Sequence, residues 1–257
     1  MLFFILAYAI SWAIAVPLAL AEQGLTPPYL PPWTHYLVSF GPMLAAFIVA
    51  ATSEGRTGLR KLWSRMIRWR VGPIWWLVAL SPLVIGLLMI VVLRIAQGHW
   101  ITFADLGRVQ FLPPLGIGAL LLWILTFGIG EETGWRGYAL PRLQRNRSAL
   151  AATAILTVLW ILWHLPGFFY VFDRTIALGW AIGLFAGAIV LTWLFNSSGG
   201  SVLLVAIWHG GFNFISASSA GDGLLAMAIT ILVMIWAVFV VVLFKPKDLS
   251  RAARIVD

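Results

Sequence analysis

A small set of side chains in this sequence could do chemistry where the surrounding residues otherwise exclude water. They are Glu131, Glu132 and Arg136 in "EETGWR", His164 closing "WILWH", and His209 and Asn213 in "HGGFN". Each lies inside or beside a long apolar run. An ionisable group at bilayer depth costs about 2.5–3.5 kcal/mol on insertion scales, so each needs a partner, a water-filled cavity or a task.

Helical spacing sorts these groups. Residues four apart share a face, so Glu132 and Arg136 can neutralise one another. Glu131 is turned about 100° from its neighbour and has Trp135, not a cation, four residues on. It is the carboxylate left without a cation, and desolvation gives such a group the proton affinity a general base or acid needs near neutrality. Taken alone, the two acids could equally cap the cytoplasmic end of a span. His164 could be a packing residue that satisfies itself by hydrogen bonds. His209 and Asn213, again four apart, could be an interhelical hydrogen-bonding pair, with Gly210 and Gly211 between them permitting either close packing or substrate access. Gly130, Gly134 and Gly137 offer the acidic helix small positions for close contact.

The elements that must hold these groups are membrane helices. The 257 residues are 61% hydrophobic and 10% charged, a composition foreign to water-soluble domains. Apolar runs of spanning length fall at 2–21, 35–52, 73–96, 115–140, 149–170, 177–195, 201–217 and 224–244. The chain is expected to be all-α, a single polytopic transmembrane domain over 1–257 with about eight helices and the chemistry concentrated in 115–217. No barrel-length alternation of polar and apolar residues occurs. "ALAE" at 19–22 resembles a signal-peptidase site, but no Lys or Arg precedes it, so a retained first helix is expected.

Charge orients the bundle. Arg56, Arg60, Lys61, Arg65, Arg68, Arg70, Arg136, Arg142, Arg145, Arg147, Lys245, Lys247, Arg251 and Arg254 fall on one side, against Arg94, Arg108 and Arg174 on the other. The positive-inside rule then puts both termini in the cytoplasm. Because the net charge of +8 is confined to short flanking loops, lipid headgroups explain it and nucleic acid is not an expected partner. The absence of cysteine excludes disulfides, thiolate metal sites and a cysteine nucleophile. "EGRTGLRKLWSRMIRWR" at 54–70 reads as an amphipathic helix on the inner leaflet. "TPPYLPPW" at 26–33 reads as a stiff external loop, and no internal repeat of the transporter kind is visible.

Depth is a partial check on whether the polar groups can meet. At 1.5 Å per residue, Glu131 lies about 14 Å from Pro141, and His209 and Asn213 about 12 and 18 Å from Ser201. His164, about 24 Å from Ser148, joins them only if its helix starts in the cytosol or tilts strongly.

The three motifs, in this order and each on its own apolar helix, resemble the CPBP family of intramembrane proteases, which includes CAAX proteases and bacteriocin-processing (Abi) enzymes. That family's pattern is EExxxR, FxxxH and HxxxN, and Trp160 stands here where the family usually has Phe. "FGPMLAAF" at 40–47 is like the second helix of many bacterial members. The resemblance implies that Glu131, assisted by His164, activates water against a peptide carbonyl. It further implies that His209 and Asn213 stabilise the oxyanion, with Glu132 and Arg136 as a positioning pair. No cofactor is expected on that mechanism. Glu131, His164 and His209 would nevertheless form a donor set suited to catalytic zinc, although HExxH is absent.

Two other classes fit parts of the pattern. An ion- or proton-coupled transporter also uses buried Glu and His, and a non-catalytic scaffold or immunity protein would use the same groups for helix association. The expected partners are the bilayer and a peptide or membrane-protein substrate, and the composition suits a multi-pass protein of a bacterial cytoplasmic membrane.

Overall fold

The computed structural model describes residues 1–98, 100, 106, 109–217 and 223–257. Arg108, counted above for topology, lies outside the described residues. The described residues include eight long helices: α1 (Leu2–Glu22), α2 (Phe40–Met66, led by a short turn His35–Val38), α3 (Pro73–Gln97), α4 (118–144), α5 (Ala149–Trp163), α6 (Ala177–Ser197), α7 (Val202–Ser216) and α8 (Leu224–Asp248). Among the described residues there is no strand. The chain is a multi-pass membrane protein: α1, α2, α3, α6, α8 and the stretch Ala149–Phe169 are each long and apolar enough to cross a bilayer, and α7 is a shorter apolar helix.

The ends of these helices follow from local chemistry. Gly72 and Pro73 open α3, where a missing N–H costs nothing, and Gly98 in the left-handed region closes it. Ser148 and Ser201 cap α5 and α7 by accepting from Ala151 N and Leu204 N. Pro166 stops α5, so the expected span 149–170 becomes an α-helix to Trp163 and a tight 3₁₀ segment, Leu165–Phe169. The amphipathic stretch after α2's apolar half is helical too, but turned away from it at Gly55, whose φ of 61° breaks the helix. Trp63 and Ile67 stay exposed beside the basic residues there.

Helix α4 is not uniform. Residues 124–131 and 135–139 wind with the wider i→i+5 pattern of a π-helix, separated by one short α turn at Glu132–Gly134. Such turns are rare and concentrate at functional sites. Around them α4 packs against α2 on one side and α7 on the other. Glycines make the approach close: a Cβ on Gly134 would lie 2.5 Å from the Cβ of Pro42, one on Gly130 2.7 Å from the Ser39 carbonyl, and one on Gly128 2.6 Å from the Ala206 carbonyl. Gly210 answers from α7, with the Ile124 backbone 2.7 Å from its missing Cβ. The expected small-residue contacts are therefore present, and Gly210 serves packing. Gly134→Ala is expected to destabilise the protein by about 1–3 kcal/mol, because the obstructing atoms are backbone and a proline ring. Thermal unfolding in detergent measures this, and a transition within a degree of wild type would contradict it.

Helix α1 is integrated into the same bundle. Phe3 meets Trp135 edge-on at 5.7 Å, Tyr8 donates to the Leu159 carbonyl, and the Trp12 indole donates to the Trp163 carbonyl at 2.9 Å. At the end of the bundle that holds the C-terminus, Lys61, Arg65 and Arg142 converge on the Asp257 side chain. Arg65 also donates to the Gly137 carbonyl at 2.7 Å. Burial opposes the charge on Asp257, but hydrogen bonds from Arg65 and Lys61 outweigh it and hold the carboxyl below its ordinary range.

Candidate active site

Glu131 and Glu132 are both buried, at 1% and 0% exposure, yet their surroundings differ. One guanidinium nitrogen of Arg136, Nη1, reaches both oxygens of Glu132 at 2.8 Å. His209 Nδ1 lies 2.8 Å from Glu132 Oε1 and, since an ionised carboxylate only accepts, is the donor. Glu132 is thus held from its own helix and from α7. The expected i, i+4 pair is present, with His209 as a third member that spacing within one helix does not reveal. Arg136 is fully buried here and drops out of the loop charges that orient the chain.

Among the described residues, Glu131 has no cation as a hydrogen-bonding partner. Its Oε2 accepts from the Trp160 indole N–H at 2.6 Å, and its Oε1 is buried without a hydrogen-bond partner among the described residues. The charges of His209, Glu132 and Arg136 all reach it. The sequence expectation of an unpaired carboxylate beside a paired one therefore describes the arrangement, with Trp160 added.

Trp160 and His164 are four apart, on the last turn and C-cap of α5. His164 Nδ1 lies 2.8 Å from the Trp160 carbonyl, and since a carbonyl only accepts, Nδ1 carries the proton. The other nitrogen, Nε2, is then a lone-pair acceptor in the neutral ring. Around His164 stand Trp163, Phe172 and Trp180, the last at 4.9 Å between ring centres. The depth question resolves through Trp160: it meets Glu131 directly, while His164 lies about 6 Å further along the helix rise. Asn213 is half-buried, one turn after His209 on α7, and its carboxamide makes no side-chain hydrogen bond among the described residues.

A zinc ion on Glu131, His164 and His209 would have to bind the two histidines through Nε2. Their Nδ1 atoms are engaged elsewhere, by Glu132 for His209 and by the Trp160 carbonyl for His164. Among the described residues, no group of three or more His, Asp or Glu side chains is arranged to hold a metal ion.

Another buried polar pair lies outside the motifs. His35, at the start of the 35–52 run, has Nδ1 2.8 Å from the Tyr170 hydroxyl and is ringed by Tyr36, Phe111 and Phe127. A histidine at a span boundary was the available signal, though such a residue looks like any interfacial group until its partner across the bundle is known.

Comparison with known proteins bears on the same segment. The family model described as type II CAAX prenyl endopeptidase Rce1-like matches residues 113–215. The CAAX prenyl protease 2 of Methanococcus maripaludis is 33% identical over 109 residues, 39% of this chain and 38% of that protein. The match thus spans about two fifths of that curated relative's length. The stretch the family model matches carries Glu131, Glu132, Arg136, Trp160, His164, His209 and Asn213, and there the chain is similar to the CAAX prenyl endopeptidases.

Proposed function

We propose that this protein is an intramembrane endopeptidase in which Glu131 activates water for attack on a peptide carbonyl. The observation that carries this reading is the asymmetry of the two acids: Glu132 is saturated by Arg136 and His209, while Glu131 keeps one buried oxygen without a partner. A carboxylate so placed takes a proton from water as general base. His164 supports the step through Nε2, the nitrogen its tautomer leaves as acceptor. His209, held at Nδ1 by Glu132, presents Nε2 to the developing oxyanion and donates there when the ring carries both protons. Asn213 offers an uncommitted amide donor one turn away, and preorganised donors of this kind stabilise tetrahedral oxyanions. Arg136 and Glu132 position the machinery and do not react.

The expected topology, with both termini in the cytoplasm, places the Arg65, Arg142 and Asp257 cluster on the cytoplasmic side. The name of the relative makes a prenylated C-terminal CAAX peptide the first substrate to test. The decisive experiment is proteomics of membranes from cells carrying wild type or Glu131→Gln. Fragments cut near a C-terminus or a membrane boundary should be present with wild type and absent with the variant. Identical fragment patterns, or solute transport by the reconstituted protein without cleavage, would overturn the reading. Stoichiometric zinc in the purified protein whose removal abolishes cleavage would overturn the metal-free mechanism.

A further inference from the structure

The Trp160 side chain touches polar groups of all three motifs. Its indole N–H donates to Glu131, its ring lies under the Arg136 guanidinium at 4.4 Å, and His209 meets it edge-on at 5.6 Å and 87°. Its own carbonyl fixes the tautomer of His164. It is 2% exposed, so no solvent competes for the N–H.

A carboxylate has two equivalent oxygens and a soft terminal torsion, so an unheld glutamate presents either oxygen to its surroundings. Arg136 sharpens the problem. Its Nε and Nη2 are buried without partners and its charge reaches Glu131. A Glu131 released from the indole would be drawn toward those donors and form a second ion pair, which would hold back the base. We infer that Trp160 is a positioning residue: its N–H pins Glu131 Oε2, keeps the carboxylate off Arg136, and assigns Oε1 to the proton transfer. The phenylalanine usual in the family at this position would supply the aromatic face for Arg136 and His209 but no donor. Selection of the reacting oxygen by a side-chain hydrogen bond is therefore a property of this chain's tryptophan.

The inference rests on Glu131 being the base, and two replacements separate it from mere packing. Trp160→Phe removes the donor with some loss of volume. Site-specific incorporation of 3-benzothienylalanine at position 160 keeps the bicyclic shape and replaces the N–H by sulfur. Both proteins, reconstituted in liposomes, are assayed on a farnesylated peptide ending in a CAAX sequence. Expected is a fall in kcat of about 10- to 100-fold, the range of a hydrogen bond to a charged group, with KM within about threefold of wild type. Difference infrared spectroscopy against Glu131→Gln isolates the Glu131 carboxyl bands, which should shift in the benzothienyl protein whatever peptide the enzyme prefers. Unshifted bands, or a benzothienyl protein with wild-type kcat while Glu131→Gln is inactive, would overturn the role of Trp160. Wild-type cleavage by Glu131→Gln would overturn the reading of the site itself.

Discussion

Glu131→Gln is expected to lower kcat for peptide cleavage by roughly 10²–10⁴-fold, the contribution of a positioned general base. The protein should fold as before. Gln is nearly isosteric, its amide oxygen can still accept from Trp160, and no cation loses a hydrogen-bonding partner, since Arg136 is bound to Glu132. Cleavage in liposomes and the unfolding temperature in detergent read the two effects separately. A variant that loses activity and stability together would show that Glu131 is structural. Glu132→Gln should lower stability as well as activity, because it loosens Arg136 and His209 at once.

Arg136→Met is expected to be the most destabilising single change near the site. Arg136 and Glu132 both have 0% side-chain exposure, and removing one partner of a buried pair costs about 3–5 kcal/mol because the other charge is stranded. Methionine fills much of the volume and can still lie on the Trp160 ring, so what is lost is chiefly charge and hydrogen bonds. The check is thermal unfolding of Arg136→Met, Glu132→Gln and the double variant. The double variant should lose clearly less than the sum of the two single losses, since each partner is then spared the stranded charge of the other. Additive losses would show that the two residues do not act as a pair.

Much of this arrangement was legible in the sequence, for reasons that differ residue by residue. The helix number follows from apolar runs, since only a helix satisfies its own backbone in lipid. The Glu132–Arg136 pair follows from a four-residue spacing within one helix. The bond from Trp160 to Glu131 and the bond from His209 to Glu132 cross between helices, and no spacing within a segment encodes how two helices are rotated against each other. The π-helical turns of α4 compound this, because they change the rotation per residue in the stretch where the acids lie. His164 stands at the C-cap of α5 instead of inside it, and its partner is a carbonyl, a group that every residue carries and that therefore leaves no trace in composition.

The glycine contacts of α4 have a consequence for how a polypeptide can reach the reacting oxygen. Where Gly130 and Gly134 lie on α2, and where Gly128 and Gly210 interlock α4 with α7, the main chains are so close that not even a methyl group fits. Those two seams are shut to any strand, whatever its sequence. On α6, by contrast, a Cβ added at Gly179 or Gly187 would meet no side chain or neighbouring helix within 4 Å. A substrate chain therefore cannot be threaded past Glu131 between α4 and either of its close neighbours.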